Sequence, residues 1–112
     1  MVDMSAAQTA LVMKLLDARL PGMTAMAFGS RVVDWPFGRG SKPYSDLDIA
    51  VWGLDSKHDV ALAHLRADME ESALPWRVDL TDAEDLSDTL RKLVIAHGVL
   101  LQGQPLRLSA TI

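Results

Sequence analysis

Cysteine is absent from the chain, which excludes disulfides, thiolate zinc sites and a cysteine nucleophile. Aromatic residues are scarce at 5%, so Leu, Val, Ala and Met must fill most of the interior. Positive charge falls short of negative. The formal net charge is −4, which argues against general binding to a nucleic-acid backbone or an anionic membrane. No uninterrupted apolar stretch approaches membrane-spanning length, and the N-terminus lacks the charged-then-apolar pattern of a signal peptide, so the expected location is the cytoplasm. The sequence also lacks G-x-x-x-x-G-K-[ST], and "GRGSKP" places proline where G-x-G-x-x-G requires glycine, so neither a P-loop nor a dinucleotide fingerprint is present. Any anionic ligand must be held by a local device.

What is present suffices for one domain spanning residues 1–112: the 112 residues are 49% hydrophobic, enough for one genuine core and too few for two comfortable ones. Ser5 and Gln8 have capping-box spacing, and Leu11, Val12, Leu15, Leu16 and Leu20 recur at helical intervals, which predicts an opening helix closed by Pro21-Gly22. "TAMAF", residues 24–28, reads as a short buried strand ending at Gly29. "SDLDIAVW" alternates, with Leu47, Ile49 and Val51 on one side and Asp46, Asp48 and Ala50 on the other. A second helix begins near Asp55 or Ser56, with Ala61, Leu62, Leu65 and Met69 as its buried stripe, and Pro75 breaks the chain. "WRVDL", residues 76–80, predicts a strand with Val78 and Leu80 opposite Arg77 and Asp79. Thr81 and Glu84 have the spacing of another capping box, opening a helix with Leu86, Leu90, Leu93, Val94 and His97 as its stripe and Gly98 as a left-handed cap. "VLLQ" reads as a final strand, followed by a tail. The order α-β-β-α-β-α-β predicts an α+β fold, a small mixed β-sheet flanked by helices.

Two features carry chemistry. Residues two apart on a strand stand on the same side, about 6.6 Å apart at the backbone, so Asp46 and Asp48 repel each other unless a cation sits between them. Mg²⁺ takes oxygen ligands and commonly keeps waters and substrate phosphates, so two or three carboxylates are a normal protein share. The alternative is that both aspartates simply wet the outer face of a half-exposed strand. Asp79, on the polar face of another strand, is the third acid of such a cluster, or else the local ion-pair partner of Arg77. The second feature is Gly29-Ser30-Arg31, directly after the first strand. Glycine there lets backbone N–H groups approach an anion, serine adds a hydroxyl, and Arg31 can fork two phosphate oxygens. Arg39 and Lys42 make the same loop locally basic, or are simply solvated. Together the features suit metal-assisted nucleotidyl transfer.

With "FGSR", "SDLDIAV", the acid in "RVDL" and the closing "HGVLL", the sequence resembles the minimal nucleotidyltransferases of the DNA polymerase β-like superfamily, marked by a strand, G-S, a spacer and D-x-D. The resemblance covers nearly the whole chain. Its spacer, "RVVDWPFGRGSKPYS", spans fifteen residues, longer than the family's usual one, as if by an insertion around "DWPF". Trp35 and Phe37 in that insertion either pack the loop down or meet the nucleotide or a partner.

By position, the resemblance implies that Asp46 and Asp48 bind two Mg²⁺ ions and that Asp79 binds the metal that activates the incoming hydroxyl. Gly29 and Ser30 hold the β- and γ-phosphates of ATP or another nucleoside triphosphate, with Arg31 assisting. The hydroxyl attacks the α-phosphorus and pyrophosphate leaves. For a chain of this size the resemblance also implies a separately encoded helical partner, typically a HEPN-domain protein, in a bacterial toxin-antitoxin pair, with the apolar tail around Leu106 and Leu108 as a contact. The expected activity is transfer of AMP to a hydroxyl. The alternative is a nucleotide-binding antitoxin or scaffold that acts mainly by masking its partner. His58, His64 and His97 read as structural, and Tyr44 as a loop anchor or, alternatively, a hydroxyl acceptor.

Overall fold

The structure, a computed structural model, describes residues 1–36, 42 and 44–107. The expectations placed on Phe37, Arg39 and Leu108 lie outside these residues. Helix α1 spans Ala6–Arg19 and begins at the capping box read from the sequence: Gln8 N–H donates to Ser5 Oγ at 3.0 Å and Ser5 N–H donates to Gln8 Oε1 at 2.9 Å. Strands β1 (Ala25–Phe28) and β2 (Leu47–Val51) follow, then α2 (Asp59–Glu71), β3 (Val78–Asp82), α3 (Asp88–His97) and β4 (Val99–Gln102). A short turn of 3₁₀ helix, Ser56–His58, leads into α2, with Asp55 accepting from Lys57 N–H at 3.0 Å and His58 Nδ1 accepting from Asp55 N–H at 3.2 Å. His58 is therefore a capping residue.

The four strands form one mixed sheet in the order β3-β2-β1-β4. β1 pairs antiparallel with β2 and β4, while β2 and β3 are parallel, and α2 supplies the crossover connection that a parallel pair requires. Because both faces are covered, alternate residues of each strand enter different cores. Leu47, Ile49, Val51, Ala25, Ala27 and Leu80 pack with Val12 and Leu16 of α1 and Leu65 and Met69 of α2. Met26, Phe28 and Ala50 pack on the other face with Val94 of α3 and with Ala83. Asp48 and Asp79 share the alternation of that second face, at the end of the sheet where β1 finishes and β2 and β3 begin. The topology thus leaves a polar notch at one end of an otherwise apolar face.

Three local expectations change. Thr81 does not cap a helix; it stays in β3 opposite Ala50, because the parallel ladder carries the strand on to Asp82. The chain then makes a 3₁₀ turn over Ala83–Asp85, capped by Asp82, and α3 starts only after Ser87, whose Oγ accepts from Leu90 N–H at 3.1 Å. Gly98 is not left-handed: its φ is −69°. Glycine is needed there for space, since a Cβ would stand 2.8 Å from the Ala27 carbonyl oxygen. Leu106 is partly buried against the second core, so it is a packing residue of the tail rather than a free apolar contact. Trp35 packs the loop down, its ring 6.0 Å from that of Phe28.

Candidate active site

The notch is built from three backbone segments. β1 delivers the chain to Gly29, whose φ of +81° lies in the left-handed region that favours glycine. A side chain there is doubly excluded, because a Cβ would collide with Asp48 Oδ2. The Gly29 backbone is therefore pressed against the Asp48 carboxylate. From Gly29 to Arg31 the chain makes one 3₁₀ turn, closed by Val32 N–H donating to the Gly29 carbonyl at 3.0 Å.

Asp48 stands opposite Phe28 in the antiparallel ladder and opposite Asp79 in the parallel one. Directly paired residues of neighbouring strands project from the same face, so Asp79 lies on the Asp48 side of the sheet. Asp46 lies just before β2, two residues upstream, and like Asp79 is exposed. The electrostatics bind the three together: Asp48 is pushed up from 3.8 to about 6, first by burial and then by the negative charges of Asp79 and Asp46. Among the described residues Asp79 makes no ion pair with Arg77, so the local-pair alternative is not what the structure shows.

A hard divalent cation fits this donor set, since carboxylate oxygens are its preferred ligands and the mutual repulsion of the acids is what a cation relieves. Among the described residues no three His, Asp or Glu side chains form a ready-made cage for a metal ion.

Arg31 is placed differently from an open phosphate fork. Its side chain is only 3% exposed, its guanidinium lies over the Trp76 ring at 4.4 Å from the centroid, and its Nη1 donates to the Asp3 carbonyl at 3.4 Å. The Arg31 carbonyl accepts from Asp3 N–H at 2.7 Å, and Val2 bridges to Val32. Arg31 thus ties the Gly29-Ser30 turn to the N-terminal segment and to Trp76, two residues before β3. Trp76, read from the sequence only as the start of a strand, is the residue that this arrangement adds. Nothing in its spacing signals a partner so far upstream.

Beside Asp46 and Asp79 opens a groove of about 630 Å³, walled by Trp76, Leu74, Pro75 and Met69 and edged by Tyr44, Arg66 and Arg77. Arg66 is already engaged, donating to the Leu80 carbonyl at 3.0 Å. Lys42 is exposed, and its backbone N–H donates to Ser45 Oγ at 2.9 Å. His64 lies 3.3 Å from Arg19 Nη1, beside the Arg19–Asp68 ion pair, and has no place in the notch. Among the described residues no helix is long and apolar enough to cross a membrane.

No family model matches the chain. Over 101 residues, 90% of this chain and 84% of the relative, it is 37% identical to a Haemophilus influenzae protein named "Probable protein adenylyltransferase MntA". Among solved structures, a toxin-antitoxin with AMP-PNP is similar with a TM-score of 0.64 at 30% identity, over 86% of this chain and 73% of that one. A structure of tri-AMPylated Shewanella oneidensis HEPN toxin in complex with MNT antitoxin is similar with a TM-score of 0.60 at 29% identity, over 90% of this chain and 74% of that one. On this identity over most of both chains, and with Asp48 and Asp79 paired in the same mixed sheet, the chain belongs to the minimal nucleotidyltransferases of the DNA polymerase β-like superfamily.

Proposed function

We propose that this chain transfers AMP from ATP to a hydroxyl of a HEPN-type partner protein, in the cytoplasm, as the antitoxin of a two-component pair. The observation that carries the reading is the placement of Asp48 opposite Asp79, on one face, with the Gly29 backbone against the Asp48 carboxylate. The relatives supply the acceptor: one is named a protein adenylyltransferase, and another is a complex of an MNT antitoxin with an AMPylated HEPN toxin.

In this reading Asp46, Asp48 and Asp79 hold two Mg²⁺ ions, which supply Lewis-acid stabilisation of the attacking and leaving oxygens. Gly29 and Ser30 receive the β- and γ-phosphates, using backbone N–H groups and the serine hydroxyl as donors. Arg31 serves the phosphates from behind, by fixing the turn over Trp76. The groove beside Asp46 and Asp79 is the opening through which the acceptor hydroxyl reaches the α-phosphorus, for attack in line with the leaving pyrophosphate. The protein's share is positioning and charge.

The test uses the chain, its HEPN partner, Mg²⁺ and ATP labelled at the α-phosphate. Wild type should label the partner. Asp46→Asn combined with Asp48→Asn should abolish the label while the circular dichroism and thermal melt show an intact fold, since removing repulsion does not unfold a strand. Undiminished labelling by the double variant would refute the enzyme and favour a protein that acts only by masking its partner.

A further inference from the structure

The groove holds a hydroxyl that the transfer to a partner does not use. Tyr44 is the chain's one tyrosine, it is 79% exposed, and it lines the groove together with Asp46 and Asp79. A residue that merely anchors a loop buries its ring, and this one does not. The turn beneath it is closed twice, by Lys42 N–H donating to Ser45 Oγ at 2.9 Å and by Ser45 N–H donating to the Lys42 carbonyl at 3.0 Å. Two residues of chain span at most about 7 Å, so chain connectivity alone keeps the Tyr44 backbone within that distance of the Asp46 backbone. The neighbouring hydroxyls are placed otherwise. Ser45 Oγ accepts a backbone N–H within the turn, and Thr81 is opposite Ala50, two residues deeper along the sheet than the Asp48–Asp79 pair.

The geometry points to Tyr44 as a self-adenylylation site, with the phenol of this chain taking the place of the external acceptor. The proposal rests on the AMP-transfer reading above. The phenolic oxygen forms a bond to the α-phosphorus of ATP, the bond from that phosphorus to the bridging oxygen breaks, pyrophosphate leaves and the phenolic proton passes to water. The product is a phosphodiester between Tyr44 and AMP. It would stand in the groove that an outside acceptor must enter, so the modification restrains the transfer it derives from.

Intact-mass analysis and peptide mapping after incubating the chain alone with Mg²⁺ and ATP test this. The expected result is a mass gain of one AMP, carried by the peptide that contains Tyr44, absent from Tyr44→Phe and absent from the Asp46→Asn, Asp48→Asn variant. AMP on any other residue would overturn the proposal. In a parallel incubation with the HEPN partner, a labelled partner beside a chain that never labels itself would overturn the proposal and leave the transfer reading standing. If neither protein acquires AMP, both fall.

Discussion

Asp48 is where stability and function oppose each other. Its pKa is raised from 3.8 to about 6, so the folded protein holds that proton more tightly than the unfolded chain does. The resulting stabilisation is fully present below 3.8 and is lost as pH rises through about 6. At neutral pH the ionised carboxylate is a net cost. Asp48→Asn should therefore raise Tm at neutral pH by roughly 4 °C, corresponding to about 1 kcal/mol after allowing for solvent screening at a half-exposed site. The gain should shrink as pH falls toward 3.8, and thermal melts across that range check it. Gly29→Ala should act in the other direction, costing about 1–3 kcal/mol for a left-handed backbone and forcing the Asp48 carboxylate aside, so both Tm and AMP transfer fall. Trp76→Ala should destabilise by about 3 kcal/mol and release Arg31, whereas Trp76→Phe, which keeps an aromatic face beneath the guanidinium, should retain most of both stability and transfer. At this scale the sequence was readable for the Gly29-Ser30 turn after the first strand and for the spacing of Asp46 and Asp48, which lie within single segments; Asp79 comes beside Asp48 only through the pairing of β2 with β3. The sequence was not readable for Arg31, whose burial depends on Trp76, a residue that the fold alone brings near.

Elements were legible where a local signal and the tertiary structure agree. Ser5 and Gln8 cap α1 as their spacing predicts, and the alternation around Asp48 survives intact in β2. The start of α3 shows the opposite case. Thr81 and Glu84 imitate a capping box, but pairing with β2 holds Thr81 in a strand, and the helix waits for Ser87. Comparing two substitutions separates the two assignments. Ser87→Ala should cost about 1 kcal/mol by removing a true N-cap, and Thr81→Val, which suits a strand, should cost less; chemical denaturation of both variants decides it. Gly98 carries a similar lesson. Its position after α3 was evident, but its reason is the nearness of the Ala27 carbonyl, a contact between segments distant in sequence that no local pattern encodes.

At the scale of the molecule, an acidic chain of net charge −4 handles an anionic substrate by confining its means to one end of a sheet. The mixed strand order is what makes this work, since only a parallel β2–β3 pair beside an antiparallel β1–β2 pair brings the starts of two strands and the end of a third to the same edge. The α+β class and the element order follow from periodicity, whereas the strand order does not, because nothing in an isolated strand states its neighbour. The partner-binding surface is less legible still: Leu106, expected to project, packs against the second core. The central claim is that the Gly29 turn and three aspartates form one centre for a divalent cation and a triphosphate. Its most direct test is NMR of the labelled chain with AMP-PNP and Mn²⁺ in place of Mg²⁺. The account predicts that paramagnetic broadening is strongest at Gly29, Ser30, Asp46, Asp48 and Asp79 together. Broadening that spares Asp79, or that centres on the exposed acids around Asp55 and Asp59, would contradict it.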